Sequence, residues 1–178
     1  MIPVNVAGLL HDAPGASRDL QLRDHYVALG DGLELAGPIS LTVRLARTNR
    51  GILARGRVSA PLRRICARCL DAYVEEVSVP IEDEFLPSVD PVSGAAVALS
   101  DEPEAQRIDQ HNELDLGPIV RDELSLTEPM HPLCSPDCPG LCAVCGVRLS
   151  SGQHDHEDDE IDPRLAPLAR LMERRGQE

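Results

Sequence analysis

A chain of 178 residues with 30 acidic and 17 basic side chains carries a formal charge of −13, which excludes general nucleic-acid affinity built on an overall positive surface. Apolar residues make up 42%, enough for a core, but Tyr26, Tyr73 and Phe85 are the only aromatics and Trp is absent. The core is therefore expected to be aliphatic and modest, the kind that a metal cross-link supports.

In chain order, residues 1–35 show weak patterning; Leu9 and Leu10 start a short helix that Pro14-Gly15 stops. Ile39, Leu41, Val43 and Leu45 then alternate with Ser40, Thr42, Arg44 and Ala46, the period of a half-buried strand. A turn follows over Arg47 to Gly51, in which Asn49 and Gly51 are suited to positive φ. Ile52, Ala54, Gly56 and Val58 alternate with Leu53, Arg55, Arg57 and Ser59 in a second strand, antiparallel to the first. Val77, Val79, Ile81 and Phe85 mark a third, with Pro80 placing it at a sheet edge.

Residues 87–112, rich in Pro, Ser, Ala and acids, read as an acidic linker. A helix over about 115–127 follows, capped by Asp115, with Leu116, Ile119, Val120 and Leu124 on one face. Further on, Asp162-Pro163 starts a C-terminal helix striped with Leu165, Leu168, Leu171 and Met172. The fold class predicted is α+β: an antiparallel β-sheet core with short helices and a C-terminal Cys-rich zinc-binding segment. Two parts are expected. Residues 1–130 form the sheet domain with its linker and helix, and residues 131–178 the Cys/His-rich segment with its helix.

The six cysteines carry the chemistry. They stand as Cys66-x2-Cys69 and Cys134-x3-Cys138-x3-Cys142-x2-Cys145. The first residues have no basic n-region and no apolar run approaches membrane-spanning length. The expected setting is thus the reducing cytoplasm, where close Cys pairs act as metal ligands or redox centres rather than disulfides. Zinc takes four tetrahedral ligands, and thiolate and imidazole suit it. Gly146, just after Cys145, lets the chain curl so that N–H groups point at sulfur. With His154 and His156 there are eight candidate ligands, enough for two ions: Cys66, Cys69, Cys134 and Cys138 on one, and Cys142, Cys145, His154 and His156 on the other. The rival is one ion on Cys134, Cys138, Cys142 and Cys145. The bland alternative for the histidines is a solvated loop, since Asp155, Glu157, Asp158, Asp159 and Glu160 surround them. No phosphate-binding glycine loop and no nucleophile motif is present, so no enzymatic activity or small-molecule substrate is expected.

The charge is unevenly spread. No Asp or Glu lies between Glu34 and Asp71, while Arg44, Arg47, Arg50, Arg55, Arg57, Arg63, Arg64 and Arg68 do, and every basic residue of the chain is Arg. The period of two sets Arg44, Arg55 and Arg57 opposite the apolar positions, on an outward face, with Arg63, Arg64 and Arg68 near the Cys66 turn. This is a candidate phosphate-contacting patch. Its alternative is a solvated face neutralised by the acidic linker.

The order of these motifs resembles the YceD-type family, associated with accumulation of large-subunit ribosomal RNA. The resemblance rests on Ile65-Cys66-Ala67-Arg68-Cys69-Leu70 between strands, Leu114-Asp115-Leu116 leading the helix, Pro132-Leu133-Cys134, Cys138-Pro139-Gly140-Leu141-Cys142-Ala143-Val144-Cys145-Gly146 and Ile161-Asp162-Pro163-Arg164-Leu165. It implies a non-enzymatic role in the synthesis, processing or stability of 23S ribosomal RNA. The implied partners are that RNA or a pre-50S particle, with a ribosomal or RNA-processing protein as a further candidate. Relatives often carry Cys-x-Cys at His154-Asp155-His156, an exchange that keeps zinc-ligand chemistry and favours two ions. Two other readings stand beside it: a zinc-stapled protein–protein adaptor, and a redox enzyme using a Cys pair.

Overall fold

The computed structural model describes residues 1–28, 30, 32–90, 93–97, 105–152 and 156. It is mostly sheet. Three long strands, β4 (Ile39–Arg47), β5 (Ile52–Ile65) and β6 (Ala72–Pro87), form an antiparallel meander. On β4, Ile39, Leu41, Val43 and Leu45 are buried while Ser40, Thr42 and Arg44 are exposed, as the alternation predicted. The β4–β5 turn is organised by Thr48, whose hydroxyl accepts from the N–H groups of Arg50 and Gly51. Neither Asn49 nor Gly51 adopts positive φ. Gly51 serves a different need, because a Cβ there would collide with the carbonyl oxygen of Phe85 across the β5–β6 ladder.

The remaining elements are short, and sequence periodicity missed several. The chain opens with β1 (Pro3–Asn5) and α1 (Ala7–His11), followed by β2 (Ser17–His25), which pairs with β4 as the sheet's outer strand. Only Leu20 and Leu22 of β2 pack against the core, too few to reveal a period of two. β3 (Glu34–Leu35) lies along β5 beyond the end of β4. The expected linker holds structure as well: β7 (Gln106–Ile108) pairs with the end of β6, and Val89 bridges Ala96. The β6–β7 pairing is parallel, so the six-stranded sheet is mixed rather than wholly antiparallel. Pro80 lies on a stretch of β6 with no second neighbour among the described residues, where its missing N–H breaks no ladder.

β8 (Glu113–Asp115) pairs with β1, and α2 (Gly117–Ser125) follows directly. Asp115 is not the helix cap; its carboxylate accepts from the N–H groups of Gly117 and Ile2, tying the chain's start to the base of α2. Ile2, Val4, Leu9, Leu10, Leu114, Leu116, Ile119, Val120 and Leu124 join the inward side chains of β4–β6 in one aliphatic core, with Phe85 its only aromatic. No described helix is long and apolar enough to cross a membrane. The C-terminal helix expected after Asp162 lies outside the described residues, as does His154.

Candidate metal centres and the arginine face

β4 pairs with β5 only as far as Ser59, but β5 and β6 stay paired through fourteen residue pairs, out to Ile65 with Ala72. The last six residues of β5 thus carry a ribbon about 20 Å beyond β4, and Cys66 and Cys69 stand at its tip. There the N–H of Leu70 donates to Cys66 O at 2.9 Å and the N–H of Cys66 to Asp71 O at 2.9 Å. The turn puts Leu70 at φ 61°, a left-handed conformation that costs a residue with a side chain about 1–2 kcal/mol.

The loop after α2 brings Cys134 and Cys138 to this tip, held by a hydrogen bond from Ala67 N–H to Pro132 O at 2.7 Å. The sulfur atoms of Cys66, Cys69, Cys134 and Cys138 all lie within 4.8 Å of one another. Cys66 Sγ is 3.8 Å from Cys138 Sγ, and Cys69 Sγ is 3.8 Å from Cys134 Sγ. A tetrahedral ion with bonds of about 2.3 Å to sulfur spans an edge of about 3.8 Å, so the four thiols fit one such ion. Backbone N–H groups of Cys134 and Cys69 lower the Cys66 thiol to about 6. The neighbouring Cys138 and Cys66 sulfurs, with some loss of solvent around the cluster, push Cys134 up to about 12. Four crowded thiols resist losing all their protons together, and a divalent cation at the centre removes that resistance.

A second group forms from Cys142, Cys145 and His156, whose ligand atoms also lie within 4.8 Å of one another. Cys142 Sγ is 3.2 Å from His156 Nε2, slightly inside the roughly 3.6 Å edge of a tetrahedral ion bound to sulfur and imidazole. The turn repeats the first: Gly146 N–H donates to Cys142 O and Cys142 N–H to Val147 O. Gly146 holds the left-handed φ of 72° that Leu70 holds in the first. Val144 N–H points at Cys142 Sγ at 3.4 Å. The structure thus brings Cys134 and Cys138 to Cys66 and Cys69, and places Cys142 and Cys145 in a separate group with His156.

Two contacts join the groups, one through the Arg68 carbonyl and one between Asp71 and Arg148. The Arg68 carbonyl accepts from Leu141 N–H at 3.1 Å. The Arg68 guanidinium stays within the first group, donating to Cys138 O at 2.9 Å and to Pro136 O at 3.4 Å. Asp71, just past the first turn, pairs through both carboxylate oxygens with Arg148, just past the second. Sequence reading missed Asp71 and Arg148, because the two stand 77 residues apart and only the fold makes them neighbours.

Of the candidate nucleic-acid contacts, Arg44, Arg55 and Arg57 are exposed on the outward face. The flanking strands compensate two of them: Asp19 of β2 accepts from Arg44 at 2.7 and 3.0 Å, and Glu82 of β6 pairs with Arg55. Arg57 donates to Ser78 O, and Arg63 pairs with Glu34 at 3.0 Å. Neutralisation here comes from neighbouring strands. One arginine is not available as a surface cation. Arg64 falls on the inward parity of Ala60 and Leu62, is 7% exposed, pairs with Glu75 and donates to Thr127. Arg68 stays exposed, its guanidinium donating to carbonyl oxygens of the loop that carries Cys134 and Cys138.

The sequence model of a family described as "Large ribosomal RNA subunit accumulation protein YceD" matches residues 54–172, which hold all six cysteines and His156. Curated proteins similar to the chain include uncharacterized proteins Rv2926c of Mycobacterium tuberculosis and Mb2951c of Mycobacterium bovis. Each is 34% identical over 164 residues, covering 89% of this chain and 76% of the relative. Uncharacterized protein ML1660 of Mycobacterium leprae is 32% identical over 140 residues, covering 79% and 62%. No solved structure matches.

Proposed function

This chain belongs to the YceD family, described as large ribosomal RNA subunit accumulation proteins, and we propose that it is a non-enzymatic factor supporting the synthesis, processing or stability of 23S ribosomal RNA, stapled by structural zinc. The family match over residues 54–172 carries the ribosomal part of the reading. The sulfur–sulfur edges of 3.8 Å support zinc in the first centre. Four thiolates fill a tetrahedron and leave no position for a substrate, the arrangement of structural rather than catalytic zinc. The second ion takes Cys142, Cys145 and His156; His154, the fourth ligand that the sequence offers, lies outside the described residues. The cytoplasm suits such thiolate sites, because it keeps them reduced.

RNA contact in this reading falls to Arg44, Arg55, Arg57 and Arg63. Their surface ion pairs are weak enough for phosphates to displace, and the acidic remainder of the chain repels RNA and limits the contact to one orientation. Depleting the protein should lower 23S relative to small-subunit RNA. Complementation with the parent should restore the ratio, and Cys66→Ser with Cys69→Ser should not. An unchanged ratio on depletion overturns the ribosomal reading.

A zinc-stapled adaptor that binds only protein is the second reading. It is favoured by the acids Asp19, Glu82 and Glu34, which already compensate Arg44, Arg55 and Arg63. Binding of 23S fragments that does not change with salt concentration, or no binding at all, would select it.

A further inference from the structure

We propose that the second metal centre is mounted on the first, so that the two ions load in order: first on Cys66, Cys69, Cys134 and Cys138, then on Cys142, Cys145 and His156, with Arg68, Asp71 and Arg148 as the positioning residues that couple them. The proposal rests on the zinc reading above and adds the relation between the sites.

The argument starts from what holds each set of ligands before any ion arrives. Cys66 and Cys69 sit at the end of a fourteen-pair β-ladder, so half of the first centre is arranged by the sheet. Cys134 and Cys138 come from a loop with no helix or strand of its own, tied to the tip by Ala67 N–H to Pro132 O and by the Arg68 guanidinium to Cys138 O. An ion on these four sulfurs fixes the loop as far as Cys138.

Only three residues separate Cys138 from Cys142. Within them Gly140 takes φ 80°, and its backbone runs so close to Arg68 that a Cβ would lie 3.0 Å from the Arg68 carbonyl oxygen. Leu141 N–H then donates to that same oxygen. The first ligand of the second centre is thus set in place by the tip of the first. Beyond Cys145 the Arg148–Asp71 pair draws the far side of the second turn onto the hairpin. The second turn has a single bridge of its own, Leu141 with Arg148, in place of a long ladder.

A site whose ligands are arranged only part of the time binds more weakly in proportion to that fraction. Filling the first centre raises the arranged fraction of the second. By linkage, filling the second strengthens the first by the same factor. The ions differ in what remains when the other is lost: the first keeps the ladder beneath Cys66 and Cys69, while the second loses the fixed loop that delivers Gly140 and Leu141 to the Arg68 carbonyl. The same contacts give Arg68 a structural task, its carbonyl engaged by the second turn and its guanidinium by the loop of the first centre.

The test uses the full chain, freed of metal under reducing conditions and titrated with Zn2+ against a competing chelator, with bound ions counted by native mass spectrometry. The parent should bind two ions in separated steps. Cys145→Ser should keep the first at parental affinity. Cys66→Ser with Cys69→Ser should lose the first and weaken the second on the order of 5- to 150-fold, the usual range of site–site coupling. Since that pair of changes also loosens the fold, Asp71→Asn serves as a variant with every ligand intact. It should weaken only the second step, by about fivefold or more, and the charge swap Asp71→Arg with Arg148→Asp should restore it. A second step unchanged in Asp71→Asn, or loss of both ions in Cys145→Ser, overturns the order of loading while leaving zinc in place. A parent that binds one ion also overturns it, and one that binds none overturns the zinc reading itself.

Discussion

Cys66-Ala-Arg-Cys69-Leu70-Asp71 and Cys142-Ala-Val-Cys145-Gly146-Val147 make the same turn with the same two backbone hydrogen bonds, yet they are not equivalent. The first closes a long hairpin, has Cys66 fully buried and is completed by two further cysteines, one of them buried. The second closes a single bridge, has no fully buried ligand and is completed by His156. The comparison teaches that a Cys-x-x-Cys turn specifies how two ligands face an ion, while the surrounding ladder specifies how well the site stands without one.

The largest expected effect is on the foundation of that comparison. Structural zinc contributes ~10–16 kcal/mol of apparent binding free energy in small modules, so chelation should open the segment from Met130 onward to protease while the core of β4–β6 resists. Equal resistance of both halves would remove the structural role. Thiols must lose their protons to hold the ion, and Cys134 without it is held up at about 12. Ion release should therefore increase as pH falls and not as it rises.

Next comes Arg64, which joins the hairpin to the end of α2. Removing it as Arg64→Ala leaves Glu75 and the Thr127 carbonyl without their buried partner, at a cost of about 2 kcal/mol, reduced because Glu75 is half exposed. Thermal melting should show a midpoint roughly 4–8 °C lower, and a change below 1 °C would show that the strut does not matter.

Exchanging the turn residues gives a smaller effect of opposite sign at the two sites. Leu70→Gly relieves left-handed strain at the entropic cost of glycine, for a net gain of about 0–1 kcal/mol. Gly146→Leu introduces the strain, at about 1–2 kcal/mol, and should weaken the second ion. Parallel responses at both positions would contradict the shared geometry. The smallest structural effect belongs to Arg44→Gln, Arg55→Gln and Arg57→Gln together. This triple variant should melt like the parent and bind both ions. If the face contacts RNA, its binding should be weaker and less dependent on salt.

Much of this was legible in the sequence, and the gaps have physical causes. Alternation located β4 and β5 because each buries a full row of side chains on one face. The same parity, counted on from Ala60 and Leu62, places Arg64 inside, although its charge argued for the surface. β2 escaped notice because an outer strand facing water needs few apolar residues, and β7 because three residues show no period. The ligands could be counted from residue types and the split of Cys134 and Cys138 from Cys142 and Cys145 put forward, but preferring it to one group of those four required the β5–β6 ribbon, which brings residue 66 to residue 138. Gly51 was read for its turn, whereas what it supplies is the absence of a Cβ beneath Phe85.

The ribbon that carries Cys66 also limits how relatives can differ in length. Residues on its two faces alternate, with Arg64 inward and Ile65 outward. An insertion or deletion of one residue per strand would exchange the faces, burying Ile65 in place of Arg64 and turning the cysteines to the opposite side. Two residues per strand preserve the faces and move the tip by about 6.6 Å. Evolution can thus telescope this arm in paired steps. Aligned relatives should show gaps between Ser59 and Ser78 that are even on each strand and matched across the hairpin.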